Sequence, residues 1–407
     1  MNSLINIGIF GRTNTGKSSL INRVTEQDFA IVSEKAGTTT DPIKKRLEIF
    51  GLGPCQLIDT AGIGDSSELG EKRIKKTFDI INQIDLALLL FTGDSSINMN
   101  SLAEVDLDKD EQEFLAKIQD KDIPVILVYN KVDIWPLSVE NRNKIKEKYG
   151  LPVVVFSDHA DEEVRKVLTD TIIEKASSAR FHEKTPFEGL LETKGLNLML
   201  ICPVDSEAPT GRLILPQVQA IRDALDYKCI ATVLEPNNIT NYLKNNPDPY
   251  MAVTDSQAFA EVSKLVPERI PLTSFSMLLA RAKGCFEEYI KGTPEISKLK
   301  DGSKILILES CTHHSSCEDI GRVKLPKLFR EFTGKKLKFD LIPGLDRIDN
   351  IESYDMVAQC GGCMVTGRQL YQRLKPAMAA GVPVTNYGMA ISYMNGIFDR
   401  AVKPLMK

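Results

Sequence analysis

The chain has 407 residues, enough for two to four domains with cores of their own, and a formal net charge of −4. That balance carries no basic footprint for nucleic acid, and the longest apolar run, Leu86–Phe91, is far too short to cross a bilayer. Met1 leads almost directly into a strand, so no cleavable leader is expected. With eight cysteines this argues against a disulfide framework, and the expectation is a soluble cytoplasmic protein without membrane or nucleic-acid partners.

Ile5–Phe10 reads as a buried strand, followed by GRTNTGKSS (Gly11 to Ser19) and a helix from Lys17 to Val24. GxxxxGKS between strand and helix is a phosphate-binding loop. Glycines let backbone amides turn onto a triphosphate, a lysine reaches its outer phosphates and a serine hydroxyl ligates magnesium. Gly11, Asn14, Thr15, Gly16, Lys17, Ser18 and Ser19 are therefore expected to cradle the nucleotide. The next strand-like run, Gln56–Ile58, ends in Asp59-Thr60-Ala61-Gly62, a DxxG pattern: the aspartate holds magnesium through water and the Gly62 amide senses the γ-phosphate. Val125–Tyr129 leads into Asn130-Lys131-Val132-Asp133, an NKxD pattern, where Asp133 accepts hydrogen bonds from the N1 and 2-amino groups that only guanine offers. Ser157-Asp158, after Val153–Phe156, is the best match to the remaining base-side motif. The three motifs in this order predict a GTPase domain with a doubly wound parallel sheet over residues 1–176. Lys17, Asp59 and Gly62 are its expected catalytic residues, and the resemblance given next adds Thr39 to them.

Ala36-Gly37-Thr38-Thr39-Thr40-Asp41 resembles the GTTRD element of the TrmE–Era–EngA–septin-like GTPases, with Thr40 in place of the arginine. The resemblance implies that Thr39 joins Ser18 as a magnesium ligand. Ile63 stands where Ras-like proteins carry a water-orienting glutamine, and isoleucine cannot do that work. Members lacking the glutamine use potassium held by a loop asparagine, which falls on Asn14; the plainer reading of Asn14 is a loop-capping residue.

Beyond a polar linker near 177–185, a middle α/β block spans residues 186–270. It holds a strand over Leu196–Cys202, a helix over Leu215–Asp226, a strand over Lys228–Val233 and helical spacing over Val253–Val266. Its loop Pro203–Arg212 is rich in turn residues and suits a subunit contact. A third α/β block, 271–407, opens with an amphipathic helix from Leu272 through Ile290. It continues with a strand at Lys304–Leu308, a helix near Asp319–Phe332, strands at Lys336–Ile342 and Tyr354–Ala358, and a helix from Thr366 to Ala380. No internal repeat is apparent.

Glu309-Ser310-Cys311-Thr312-His313 follows one strand of this block and Cys360-Gly361-Gly362-Cys363 follows another; if the strands are parallel neighbours, both motifs leave the same carboxyl edge. Three chemistries fit these residue types: structural zinc on Cys311, His313, Cys360 and Cys363, an iron–sulfur cluster, or a Cys360/Cys363 redox dithiol. ESCTHH, DIGRVKLP (Asp319–Pro326) and GGCMVTGRQL, behind a potassium-type GTPase domain, resemble the HydF family, the GTPase scaffold of FeFe-hydrogenase maturation, over essentially the whole chain.

That resemblance implies a 4Fe-4S cluster on Cys311, Cys360 and Cys363 with an exchangeable fourth position, His313 matching the CxH position. It also implies a transient two-iron carbonyl/cyanide precursor as cargo. The implied partners are apo FeFe-hydrogenase and the radical-SAM maturases, and the middle block becomes a dimerisation module of a homodimer. Gln359 stands where the family often has histidine, and Cys317 reads as a bystander; Glu309, Glu318 and Asp319 are other side chains near the open position. The rival readings are a tRNA-modification-type GTPase of the TrmE kind and a regulatory GTPase with a structural zinc site.

Overall fold

The computed structural model describes residues 4–25, 33–35, 43–60, 62–63, 80–93, 105–157, 159, 162–179, 183–204, 213–310, 320–346, 348–363 and 365–406. The chain divides into two compact units, residues 2–181 and 182–407.

The first unit is built on a seven-stranded sheet in the order β2-β3-β4-β1-β5-β6-β7. Its strands are β1 (Ile5–Gly11), β2 (Ser33–Lys35), β3 (Lys44–Ile49), β4 (Gly53–Asp59), β5 (Leu86–Phe91), β6 (Val125–Tyr129) and β7 (Val153–Val155). β3 pairs antiparallel with β2 and β4; the other pairings are parallel. Helices α1 (Lys17–Thr25), α2 (Lys109–Gln119), α3 (Val139–Tyr149) and α4 (Glu162–Ala179) cover it. A sheet covered on both faces needs apolar residues at every strand position, which is why LALLLF of β5 is buried throughout. Ile7, Ile9, Leu88 and Leu90 pack with residues of α1 and α4, while Phe10, Leu89, Phe91 and Tyr129 pack with α2 and α3. Local signals set the helix ends: α2 starts in an Asp108/Glu111 capping box, and α3 runs from the Ser138 cap to Gly150, left-handed at φ 64°. In parallel register, the carboxyl ends of β1, β4, β6 and β7 share one edge.

The second unit holds two four-stranded parallel sheets, β11-β10-β8-β9 and β13-β12-β14-β15. The first comprises β8 (Asn197–Ile201), β9 (Ile230–Leu234), β10 (Met251–Thr254) and β11 (Leu272–Ser274). The second comprises β12 (Lys304–Leu308), β13 (Lys338–Ile342), β14 (Met356–Gln359) and β15 (Val384–Asn386). Between and after these strands run α5 (Leu215–Asp226), α6 (Ile239–Asn245), α7 (Phe259–Leu265), α8 (Phe275–Lys283), α9 (Phe286–Gly292), α10 (Leu325–Thr333), α11 (Gly367–Ala379), α12 (Tyr387–Met394) and α13 (Phe398–Val402).

Both sheets have one topology, and their sequences follow it, correcting the reading that the chain lacks a repeat. GRLILP at 211–216 returns as GRVKLP at 321–326, each running into the helix after the first strand. Pro271, Thr273, Met277, Gly284, Phe286 and Lys291 return in step as Pro383, Thr385, Met389, Gly396, Phe398 and Lys403. The halves exchange their ends. α9, which follows the first sheet, packs on β15, and α13, which follows the second, packs on β11. A Cβ at Gly292 would lie 2.1 Å from the Val384 carbonyl oxygen, and the Thr293 and Thr385 hydroxyls are 2.7 Å apart. Burial of Phe286 and Phe398 contributes about 2 kcal/mol each to this closure.

Three further expectations shift. Leu272–Ser274 pairs with β10 and closes the middle sheet, so the division expected at residue 270 moves beyond Ser274; the single helix expected over Leu272–Ile290 becomes β11, α8 and α9. The helical spacing over Val253–Val266 resolves into the end of buried β10 and the short α7, separated by a turn. The loop Pro203–Arg212 lies, from residue 205 on, outside the described residues. No helix among the described residues is long and apolar enough to cross a membrane.

Candidate functional site

The first site forms where β1 gives way to α1. Gly11 has φ 148° and Gly16 φ 90°; a Cβ on Gly11 would lie 2.4 Å from the Leu90 carbonyl oxygen, and one on Gly16 2.2 Å from Asn130 Nδ2. Only glycine fits either position. Asn14 is left-handed at φ 64° within the loop. Lys17 Nζ donates to the carbonyls of Gly11 at 3.0 Å and Arg12 at 2.8 Å, which holds the ammonium over the loop. Ser18 is exposed, and Ser19 is half-buried in the first turn of α1. Thr15 turns inward: it is buried and its hydroxyl donates to the Arg12 carbonyl at 2.8 Å, closing the loop.

β4 brings Asp59 to the same edge. Ser18 Oγ donates to Asp59 Oδ2 at 2.9 Å, and Asp59 Oδ1 is buried without a hydrogen-bond partner among the described residues. Burial pushes the Asp59 carboxyl up, opposed by the Ser18 hydrogen bond and the Lys17 charge; burial likewise pushes Lys17 down, opposed by Asp59. A hydroxyl beside a carboxylate with an unused oxygen is a donor set that fits magnesium. Gly62 lies against the loop, since a Cβ there would be 2.5 Å from Thr13 Oγ1, and the Ile63 amide donates to the Gly11 carbonyl at 3.1 Å. The Ile63 side chain packs on the apolar layer below the sheet, so it does not act on a phosphate. Thr39 lies outside the described residues.

At the base side, Asn130 fastens the two motifs together: its Nδ2 donates to the Thr15 carbonyl at 2.8 Å and the side chain is buried. Lys131 is left-handed at φ 60°, and the turn after it leaves Asp133 exposed, while Ser157 is buried just past β7.

The second site forms at the carboxyl edge of β12 and β14. These strands are parallel neighbours, with Leu308 opposite Gln359 and the Cys360 amide donating to the Leu308 carbonyl at 2.9 Å. Cys360 Sγ accepts from the Ser310 amide at 3.0 Å and from Gln359 Nε2 at 3.4 Å. Donors aimed at sulfur favour a thiolate, so the groups present fit a thiolate-bound metal or cluster. Gly362, at φ 63°, makes the turn between Cys360 and Cys363, both half-buried. Gln359 is fully buried, with its amide on Ser310 Oγ at 2.9 Å and on Cys360, so this side chain braces the Cys360 sulfur. Glu309 is held by Arg322 at 3.1 Å. Cys311, His313, Cys317, Glu318 and Asp319 lie outside the described residues, and among the described residues no three acidic, histidine or cysteine side chains gather as a metal site.

Family models match three stretches: the 50S ribosome-binding GTPase over residues 6–131, the hydrogen maturase F dimerization domain over 187–284 and the hydrogen maturase F tetramerization domain over 287–404. The last two together span more than half of the chain. The chain belongs to the hydrogen maturase F family.

Among curated relatives, the tRNA modification GTPase MnmE of Nitrosomonas eutropha is 38% identical over 131 residues, 32% of this chain and 26% of the relative. MnmE of Histophilus somni is 40% identical over 150 residues, 37% and 30% of the two chains. MnmE of Legionella pneumophila is 30% identical over 196 residues, 48% and 41%. The chain thus spans less than half the length of these relatives. Among solved structures, the G domain of the T. maritima FeoB iron transporter aligns over 42% of this chain and 99% of its own, at 24% identity and a TM-score of 0.31.

The N-terminal unit of this hydrogen maturase F chain is a GTPase domain, and its loop carries a brace that motif reading missed. Arg12 Nε lies 2.9 Å from Asp108 Oδ2 and 3.0 Å from Glu111 Oε1. Glu111 is fully buried, and burial pushes its carboxyl up against the pull of Arg12. The sequence signal was the Asp108-x-x-Glu111 capping box, which marks the helix start without revealing a partner in the phosphate loop. In the second unit, Arg373 is the side chain missed: its guanidinium donates to the Glu309 and Ile342 carbonyls at 2.7 Å each, tying the ends of β12 and β13 beside Cys360. Burial pushes the Arg373 guanidinium down, and Cys360 opposes that shift.

Proposed function

We propose that this chain is a GTP-hydrolysing scaffold of FeFe-hydrogenase maturation: it binds a 4Fe-4S cluster and assembles or delivers the two-iron precursor to apo-hydrogenase. The observation that carries the reading is the adjacency of β12 and β14, which sets Ser310, the residue before Cys311, within 3.0 Å of Cys360 Sγ. Cys311, Cys360 and Cys363 hold the cluster and leave one iron for exchange. A scaffold must release its cargo, and four protein thiolates would saturate the cluster. His313 stands closest in sequence to serve the open position, and Cys317 is a bystander.

On the nucleotide side, amides of residues 11–19 receive the phosphates and Lys17 neutralises charge on the transferring group. Asp133 reads guanine, with Asn130, Lys131 and Ser157 shaping its turn. Ser18 and Thr39, with Asp59 through water, would hold magnesium, which would supply positive charge against the phosphate oxygens. Asn14 would hold a potassium ion, which would supply positive charge in place of the missing glutamine. The protein works in the cytoplasm, with apo-hydrogenase and the radical-SAM maturases as its partners.

The protein assembles as a homodimer through the middle module. Exposed Leu215, Val218 and Leu225 on α5, with Ile230 and Val233 on the edge strand β9, supply an apolar, unpaired edge that supports this. The tRNA-modification reading rests on likeness within a fraction of those relatives' length. Anaerobic reconstitution with iron and sulfide tests the proposal: it should give a brown protein that loses its colour when any one of Cys311, Cys360 or Cys363 becomes serine. A colourless protein carrying stoichiometric zinc makes the structural-zinc GTPase the better account. GTP turnover should be faster in potassium than in sodium, and equal rates remove potassium from Asn14.

A further inference from the structure

Lys283, the last residue of α8, is 1% exposed, an uncommon place for an ammonium. Its Nζ donates to the Val365 carbonyl at 2.5 Å and lies 3.8 Å from Glu183 Oε1, whose side chain is 8% exposed. The same Glu183 oxygen accepts from the Gly367 amide, in the first turn of α11. Val365 and Gly367 follow Cys363 by two and four residues. The pair therefore grips both ends of the short backbone stretch between the CxxC turn and the helix after it.

Neither residue belongs to the sheet that carries the cysteines. Lys283 comes from the first repeat, and Glu183 from the segment by which the chain enters this unit, itself laid on α8 by the Lys184 amide on the Ala282 carbonyl at 3.0 Å. The repeat supplies an internal control. The position matching Lys283 in the second copy is Asn395, which instead donates to the Ile391 carbonyl of its own helix. The charge is thus peculiar to the copy facing the CxxC turn. A Cβ at Gly367 would lie 2.8 Å from the Lys283 carbonyl oxygen and 3.0 Å from Glu183 Cγ, so the contact needs glycine.

We propose that Glu183 and Lys283 are positioning residues for the CxxC site: a buried ion pair, contributed from outside the cluster-bearing sheet, that fixes the backbone carrying Cys363 relative to Cys360. This rests on the cluster reading above. A buried pair is costly to half-remove and nearly neutral to remove whole, which separates positioning from mere stability.

The test uses the full chain with Lys283→Met, Glu183→Gln and the double variant, each alongside wild type. GTP turnover should be unchanged throughout. The single variants should melt lower, and the double variant should melt close to wild type. The double variant should nonetheless release iron to a ferrous chelator about tenfold faster and show an altered paramagnetic spectrum. In cluster-free protein its Cys363 should react faster with iodoacetamide. A double variant with wild-type iron release, spectrum and thiol reactivity overturns the proposal and leaves the pair a stabiliser of the fold. If wild type takes up no cluster, the scaffold reading fails instead, and the alkylation rates still decide whether the pair positions the thiols.

Discussion

Removing the guanidinium at Arg12 should destabilise the first unit in a pH-dependent way. Arg12→Ala leaves the Glu111 carboxylate fully buried, with the Asp108 carboxylate nearby in the capping box. Breaking a buried pair costs about 3–5 kcal/mol, but Arg12 is about one-third exposed and water screens part of its interaction, so a loss of about 2 kcal/mol is expected at pH 8. The sign with pH follows from the raised Glu111 pKa. An acid whose folded pKa lies above its unfolded value gives its full stability below the unfolded pKa and loses it as pH rises through the folded pKa. Without Arg12 the folded pKa rises further, so the penalty is largest in the alkaline arm and shrinks as pH falls, since a protonated Glu111 needs no cation.

The chain's single tryptophan, Trp135, lies in this unit, and its carbonyl accepts from the Tyr129 hydroxyl at 2.9 Å. Its fluorescence during urea unfolding therefore reports the first unit alone. Arg12→Ala and Arg12→Ala/Glu111→Gln should be compared with wild type at pH 5 and pH 8; the double variant should recover most of the loss. A penalty that grows at low pH, or one below about 0.5 kcal/mol at pH 8, the scale of an ordinary surface substitution, refutes the brace.

Gly16→Ala should abolish nucleotide binding with the fold retained, because its Cβ would fall 2.2 Å from Asn130 Nδ2 at a φ of 90°; isothermal titration with GTP reads this. Asp133→Asn should weaken GTP by at least about 2 kcal/mol and erase its preference over ATP, measured by competition with a fluorescent nucleotide. Ile230→Lys places a charge on the open edge of the middle sheet and should break the contact made there, read as a smaller assembly in light scattering, with GTP turnover per chain little changed.

The meeting of the nucleotide motifs at one sheet edge was legible because each motif sits at the end of a continuous apolar strand, where sequence distance and spatial placement coincide. Lys17, Asp59 and Asp133 fall at one edge for that reason. The carboxyl-edge meeting of Ser310 and Cys360 was legible on the same logic. Arg12 and Glu111 were not, since 99 residues separate them and neither lies in a motif that names a partner. The repeat escaped because, apart from GRLILP and GRVKLP, its matches are spaced single residues in elements as short as β11 and β15, three residues each, too brief for a strand period. Nothing was read past Ala380 for the same reason: β15, α12 and α13 acquire their identity from the strands they cover.

The exchange of end helices also governs how the protein is made. While the chain is being synthesised, β11 forms the outer strand of its sheet, and its contact with Phe398–Val402 is made only once that helix has left the ribosome. A truncation anywhere in the last ten residues should therefore harm the middle module, far away in sequence, and invite strand-to-strand aggregation there. An affinity tag belongs at the amino terminus.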